Sequence, residues 1–215
     1  MTRPDTENHR DSISRFDKEA STWEEKPQRV ALAGEITKAL REHIRLDPAM
    51  HVLEYGCGTG MISRAISPQV KKITAMDTSP RMLDVLSQKA GEEKIGNITP
   101  VCLDLTQNPA PENRFDLVVS SMTLHHVADT ATIIQRFFDC LLPGGWLAVA
   151  DLAPEDGSFH GDDDSGVAHH GIDPEQIMSL CKKNGGFDPK SIQVTSVEKN
   201  GRSFPVLLTW CEKRK

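Results

Sequence analysis

Short apolar runs alternate with amphipathic stretches along most of the chain. Phe16, Ala20 and Trp23 recur at helical spacing, Pro27 interrupts, and Val30, Ala33, Ile36, Ala39, Leu40 and Ile44 continue a 3.6-residue stripe. Two helices are therefore expected before Asp47-Pro48. HVLEY (51–55) reads as a strand, and Thr59 to Ile66 as a helix. VKKITAMD (70–77) is a second strand, and Ser79-Pro80 starts a helix by the cap-then-proline rule. ITPVCL (98–103) is a third strand, its Pro100 pointing to a sheet edge. FDLVVSS (115–121) is a fourth. A helix from Ile133 to Leu142 stops at Pro143-Gly144-Gly145, and WLAVADL (146–152) is a fifth strand. At the end, IQVTSV (192–197) and SFPVLLTWCE (203–212) flank Asn200-Gly201, the strongest short hairpin signal.

Strands alternating with helices imply an α/β domain, and the hairpin completes it. The expected fold is a Rossmann-like, seven-stranded, mostly parallel sheet with helices on both faces and a C-terminal antiparallel β-hairpin. The organisation read from the chain is a flexible N-terminus (1–12), then one domain (13–215). Within it, 13–46 forms a helical lid and 153–171 an acidic loop on the substrate side.

Composition narrows the function. The chain has 215 residues, 25 Lys+Arg against 31 Asp+Glu, and a net charge of -6, which disfavours a phosphate-backbone partner. Aromatics at 5% leave few stacking platforms for single-stranded nucleic acid. No apolar run reaches the ~20 residues that span a bilayer, and the first residues have no signal-peptide core. Five scattered cysteines suggest free thiols, a reducing cytoplasmic setting and no zinc frame. The acidity is local: residues 151–181 hold eight acids and no Lys or Arg.

Candidate chemistry begins at Glu54-Tyr55-Gly56-Cys57-Gly58-Thr59-Gly60, between the first strand and a helix. Its glycines permit a tight turn and close approach of a ligand to the main chain. The dehydrogenase fingerprint Gly-x-Gly-x-x-Gly is broken, since position 61 is Met. A plain strand–helix turn is the bland alternative. Asp77 ends the second strand, where a carboxylate suits the two hydroxyls of a ribose; capping the next helix is its alternative. Asp104 suits an adenine amino group, with Leu105 against the ring, or is simply a solvated loop acid.

The runs VLEYGCGTG, MDTSPRML, LDL, FDLVVSSMTLHHV and LLPGGWLAVADL resemble the class I S-adenosylmethionine-dependent methyltransferases. Within these the small-molecule branch with the quinone-biosynthesis enzymes is most similar. The resemblance covers about residues 15–152 by motif and is specific for fold and cofactor, not for substrate. It implies that Glu54 meets the methionine amino group and that Gly56, Gly58 and Gly60 line the cofactor, with Cys57 in the same turn. It implies that Asp77 holds the ribose, Thr78 or Met82 lies along the adenosine, Asp104 and Leu105 hold adenine, and Ser120 faces the methionine end. Phe16 and Trp23 resemble a lid helix, or are core. Glu54 beside a turn poor in cations also suits an ammonium and sulfonium better than the pyrophosphate of NAD.

No Asn-Pro-Pro-Tyr type stretch follows the fourth strand, which lowers the nucleic-acid and protein-glutamine readings. The expected partner is a small-molecule acceptor, neutral or cationic, met by a monomer or homodimer. A non-catalytic, regulatory binder of the same cofactor is the competing reading. His125 and His126 are base or contact candidates, with His126 singled out; at least one is expected to be structural. The segment 155–171 holds His160, His169, His170 and Asp162, Asp163, Asp164. It reads as a mobile loop, as a substrate cap supplying His169 or His170 as a base, or as a metal site. No residue is assigned as a metal ligand.

Overall fold

The computed structural model describes residues 4–111, 114–161 and 166–215. Asp162, Asp163 and Asp164 therefore lie outside the described residues. Seven strands form one sheet: β1 (His51–Tyr55), β2 (Lys72–Asp77), β3 (Ile98–Cys102), β4 (Phe115–Ser121), β5 (Leu141–Leu152), β6 (Gly186–Lys199) and β7 (Arg202–Lys213). Their order is β3-β2-β1-β4-β5-β7-β6. The first five pair in parallel; β7 pairs antiparallel with both β5 and β6. Pro100 sits on the edge strand β3, where its missing N–H costs nothing.

Helices α1 (Pro4–Glu19) and α2 (Pro27–His43) precede the sheet, joined by a 3-10 turn at Ala20–Glu25. Helix α1 thus begins well before Arg15, where the apolar spacing starts. Helices α3 (Met61–Ile66), α4 (Pro80–Glu92), α5 (Thr130–Cys140) and α6 (Pro174–Lys183) follow.

Alternation along the strands divides the core into two layers. Val52, Leu117 and Ala148 face one layer with Ile36 and Leu40 of α2 and Leu83 and Leu86 of α4. Their neighbours Leu53, Val118 and Leu147 face the other, with Ile133 and Phe137 of α5 and Ile177 of α6. A sheet covered on both faces explains why its central strands are apolar throughout.

Several boundaries and one element differ from the sequence expectation. Helix α5 ends at Cys140, two residues early, because Leu141 already pairs with Phe115 of β4. Trp146 pairs with Leu117, so Leu142–Gly145 bulges from the ladder instead of ending a helix. Helix α6 was not among the expected elements, although Asp173 accepts from Glu175 N–H at 2.9 Å ahead of Pro174, much as Ser79 accepts from Met82 N–H at 3.1 Å ahead of α4. Strand β6 runs to fourteen residues because β7 pairs with it nearly throughout. The hairpin turn has positive φ at both Asn200 (52°) and Gly201 (74°), as a type I′ turn requires.

After β3 at the sheet edge, the chain crosses β1 to lay down β4 on its far side. That reversal opens a crevice at the carboxyl ends of β1 and β4, the place where open α/β sheets bind ligands.

Candidate active site

The crevice is a cavity of about 790 Å³. The turn after β1 forms its floor. Gly56 N–H and Cys57 N–H both donate to Met76 O, at 2.8 and 3.1 Å, and Gly58 N–H donates to Asp77 Oδ2 at 2.7 Å. Ser79 N–H donates to Asp77 Oδ1 at 2.8 Å. The carboxylate of Asp77 therefore staples the end of β2 to the glycine turn while still lining the cavity. Burial raises its pKa, and these backbone hydrogen bonds only partly offset that. Gly56 has φ of +72°, and a Cβ there would lie 2.1 Å from Thr123 Oγ1. Gly58, at φ of +52°, has open space where a Cβ would stand. One glycine lets the β1 and β4 loops touch; the other leaves room for a ligand.

Glu54, next to last in β1, is 2% exposed and borders the cavity. Its Oε2 accepts from Ser63 N–H at 2.9 Å and from the Ser63 hydroxyl. Among the described residues no cationic side chain pairs with it. Burial pushes its pKa up to about 7, despite the two bonds from Ser63. A buried carboxyl held this far from its ordinary range is a receptor for a positive group.

The N-terminal region is pinned over this floor. The Ser79 hydroxyl donates to Asp17 Oδ1 at 2.6 Å. Glu24 accepts from Thr59 Oγ1 at 2.6 Å and Arg64 at 2.7 Å, and pairs with Lys89 at 3.1 Å. Burial would raise the Glu24 pKa, but these partners outweigh it and the carboxyl is held low. Phe16 and Trp23 meet edge to face at 5.6 Å, and both line the cavity.

The opposite wall is built on the β4 loop. Met122 takes a positive φ of 51°, and the chain then makes a 3-10 turn at Leu124–His126. Asp151, at 3% exposure, anchors that turn: Oδ2 accepts from the N–H groups of Thr123, Leu124 and His125 at 3.2, 2.8 and 3.3 Å. Its Oδ1 takes Leu152 N–H at 2.8 Å and His125 Nδ1 at 2.5 Å. Burial alone would raise the Asp151 pKa; the charge and hydrogen bond of His125 reverse the direction and keep it low. His126 Nδ1 donates to Gly166 O at 2.7 Å, and its ring meets Phe16 edge to face at 5.2 Å. Burial first, then the His125 charge, lowers the His126 pKa to about 3; the same two causes bring His160 to about 4. The loop after β5 folds back onto this wall: Ala168 N–H and His169 N–H both donate to His125 O at 2.9 Å. His169 Nε2 donates to Val127 O at 3.0 Å.

A family profile for a methyltransferase domain matches residues 53–149. The chain is 35% identical over 147 residues to an uncharacterised methyltransferase of Schizosaccharomyces pombe, across 62% of this chain and 52% of that one. It is 32% identical over 97 residues to the ubiquinone biosynthesis O-methyltransferase of Coxiella burnetii, across 45% of this chain and 41% of that one. Residues 53–149 thus resemble a methyltransferase domain. In fold, the chain is similar to the N-methyltransferase NodS of Bradyrhizobium japonicum, solved with S-adenosyl-L-homocysteine: TM-score 0.72, 19% identity, 97% of this chain and all of that one. The resemblance to the S-adenosylmethionine-dependent methyltransferases thus stands on sequence and fold together. The chain spans about half the length of the curated relatives it matches.

The fold brings most of the expected residues to one cavity. Glu54, Gly56, Cys57 and Gly58 line it from the first loop, and Asp77, Thr78 and Met82 from the second. Phe16, Trp23, His126 and His169 close it. Other expected positions do not line it. Gly60 packs against Leu86, Leu105 is fully buried in the α5-side core, and Ser120 is fully buried inside β4. Asp104 Oδ1 is turned to Thr106, accepting from its N–H and its hydroxyl at 2.7 Å each; Thr106 and Gln107 face the cavity instead. His170 is exposed, beside Gly157 and outside the cavity, because the chain reverses there and its ring follows the opposite face from His169. The sequence reading missed Asp17, Glu24, Thr123 and Asp151. Only Asp151 carried a signal, as an acid closing an apolar strand directly opposite the Leu-His-His run.

Proposed function

We propose that this protein transfers a methyl group from S-adenosylmethionine to a small-molecule acceptor in the crevice at the β1/β4 switch. The observation that carries the reading is the buried Glu54 carboxyl facing the cavity beside Gly58, whose Cβ side is open. A ligand with an ammonium group and a bulky uncharged nucleoside fits that combination; a pyrophosphate does not. Glu54 would hold the amino group, Asp77 the ribose hydroxyls with the lone pairs its backbone bonds leave over, and Gly58 and Thr78 the intervening atoms. When bound, S-adenosylmethionine supplies an electrophilic methyl group on a sulfonium.

The chain's own work is then placement. Phe16 and Trp23 exclude water from above, and the β4 loop fixes the acceptor side. Alignment of this kind can reach effective molarities on the order of 10⁵ M. His126 keeps its Nδ1 proton on Gly166 O, so its Nε2 offers a lone pair to the cavity. A pKa of about 3 keeps that nitrogen unprotonated and too weak a base to remove a hydroxyl proton. His169 positions the loop through Val127.

The charge of the cavity bears on the acceptor. Arg15, Lys26, Arg29 and Lys199 line it, against Glu54, Asp77, Asp129 and Glu198. Among the described residues of 151–181, Asp151 anchors His125, Asp156 pairs with Arg202 at 3.0 Å, and Asp173 caps α6. This balance supports a neutral acceptor and gives no excess that would draw a cation. A ubiquinone-pathway O-methyltransferase among the relatives supports a small molecule. The five free thiols support a cytoplasmic setting, and no described helix is long and apolar enough to cross a membrane. The test is a screen of small acceptors for S-adenosylhomocysteine release. Turnover with a neutral phenol, quinol or amine is expected. Cofactor binding without release for any acceptor class would replace catalysis with a regulatory role.

A further inference from the structure

Three imidazoles converge on one side of the cavity. His125 and His126 come from the turn after β4, His160 from the turn after β5. One ring nitrogen from each lies within 4.8 Å of the other two. We propose that His125, His126 and His160 form a three-histidine site for a divalent transition-metal ion of the zinc type, with its fourth position open to the cavity.

The hydrogen bonds select the ligand atoms. His125 Nδ1 is committed to Asp151 Oδ1 at 2.5 Å, and His126 Nδ1 to Gly166 O at 2.7 Å. Each ring thereby donates one N–H and leaves Nε2 as an acceptor. A carboxylate behind one imidazole and a backbone carbonyl behind the other is the outer arrangement that orients histidines on a metal. Asp151 is itself fixed by four backbone N–H groups, so the His125 ring has little freedom to turn away. His160 Nδ1 is buried and, among the described residues, has no hydrogen-bond partner. Its ring lies 5.3 Å from that of His125 and 6.0 Å from that of His126.

Size and chemistry agree with an ion. Zinc–nitrogen bonds of about 2.0–2.1 Å in a tetrahedron place ligand nitrogens about 3.4 Å apart. A closure of about 1.5 Å or less from the observed separations reaches that, and His160 sits on a turn whose Gly157 and Gly161 both have positive φ. An all-imidazole set favours zinc or its first-row neighbours over magnesium or calcium, which demand oxygen. Three protein ligands leave one position for solvent or substrate, and that position faces the cavity. Resting on the methyl-transfer reading, an acceptor oxygen bound there would be oriented and would lose its proton to solvent more readily. The site itself stands on geometry and does not require that reading.

The test uses the full chain, stripped with chelator, titrated with Zn²⁺ by calorimetry and with Co²⁺ by visible absorption. One ion per chain is expected, with tetrahedral Co²⁺ bands and no thiolate charge-transfer band. His160→Ala and His126→Ala should each weaken binding at least about tenfold, while His170→Ala, outside the cavity, should leave it unchanged. His160 is the more informative, because its turn tolerates truncation; circular dichroism confirms folding. Absence of saturable binding, an unchanged affinity in His160→Ala, or a thiolate band lost in Cys102→Ser would overturn the proposal. S-adenosylmethionine affinity, measured separately, keeps the two readings apart. Metal binding without cofactor binding would sink methyl transfer and leave this site standing.

Discussion

Glu54 gives the account a pH signature that can be calculated. Its carboxyl is raised from 4.5 to about 7 by burial, and at 2% exposure no solvent screening discounts the effect. Between those two pKa values the folded protein holds a proton that the unfolded chain has lost. Stability is therefore fully present below pH 4.5, falls as pH rises through 7, and is level above that. Between pH 5 and pH 8 the loss amounts to about 2.5 kcal/mol. Glu54→Gln retains an acceptor oxygen for Ser63 but does not titrate. Urea unfolding at pH 5, 6, 7 and 8 should show the variant gaining on the wild type by about that amount across the series. A constant difference between the two proteins at every pH would refute the argument. A cationic ligand on Glu54 must also expel the proton. Binding of S-adenosylmethionine at pH 6 should release about 0.9 proton, visible as a dependence of the calorimetric heat on buffer ionisation.

Other outcomes follow from the same geometry. Gly56→Ala forces a Cβ onto Thr123 at a positive φ and should cost about 1–3 kcal/mol by urea unfolding. Asp151→Ala leaves the buried His125 ring and four backbone N–H groups without their acceptor; a loss of about 3–5 kcal/mol is expected in the same assay. Of the five free cysteines only Cys102 is exposed, so a thiol reagent should modify one group quickly in the native protein and the other four on unfolding.

Much of this architecture is legible in the chain because local signals and tertiary context agree. HVLEY and FDLVVSS are strands at their expected limits: each has an apolar centre, with Gly56 closing the first and Arg114 preceding the second. Pro100 announces an edge, and Asn200-Gly201 the hairpin. The errors arise where a long-range partner decides. Leu141 and Leu142 continue the apolar stripe of α5, and only pairing with β4 makes Leu141 a strand residue. Leu105 and Ser120 neighbour the cavity in sequence, but the turn after β3 buries the first and alternation along β4 the second. The lid contacts of Asp17 and Glu24 join residues more than thirty positions apart and have no local signature. Among the described residues, the acids of 151–181, visible as a charge count, add nothing to the lining of the crevice. Asp151, Asp156 and Asp173 each have a structural partner, and the described lining is balanced.

The central claim is that the crevice beyond β1 and β4 binds S-adenosylmethionine through Glu54 and Asp77. Isothermal titration of S-adenosylmethionine into wild type, Glu54→Gln and Asp77→Ala, with NAD as the control ligand, tests it most directly. The account predicts saturable binding to the wild type, none of NAD, and a loss of about 1–3 kcal/mol of affinity in each variant. Undiminished affinity in both folded variants, or a preference for NAD, would contradict it.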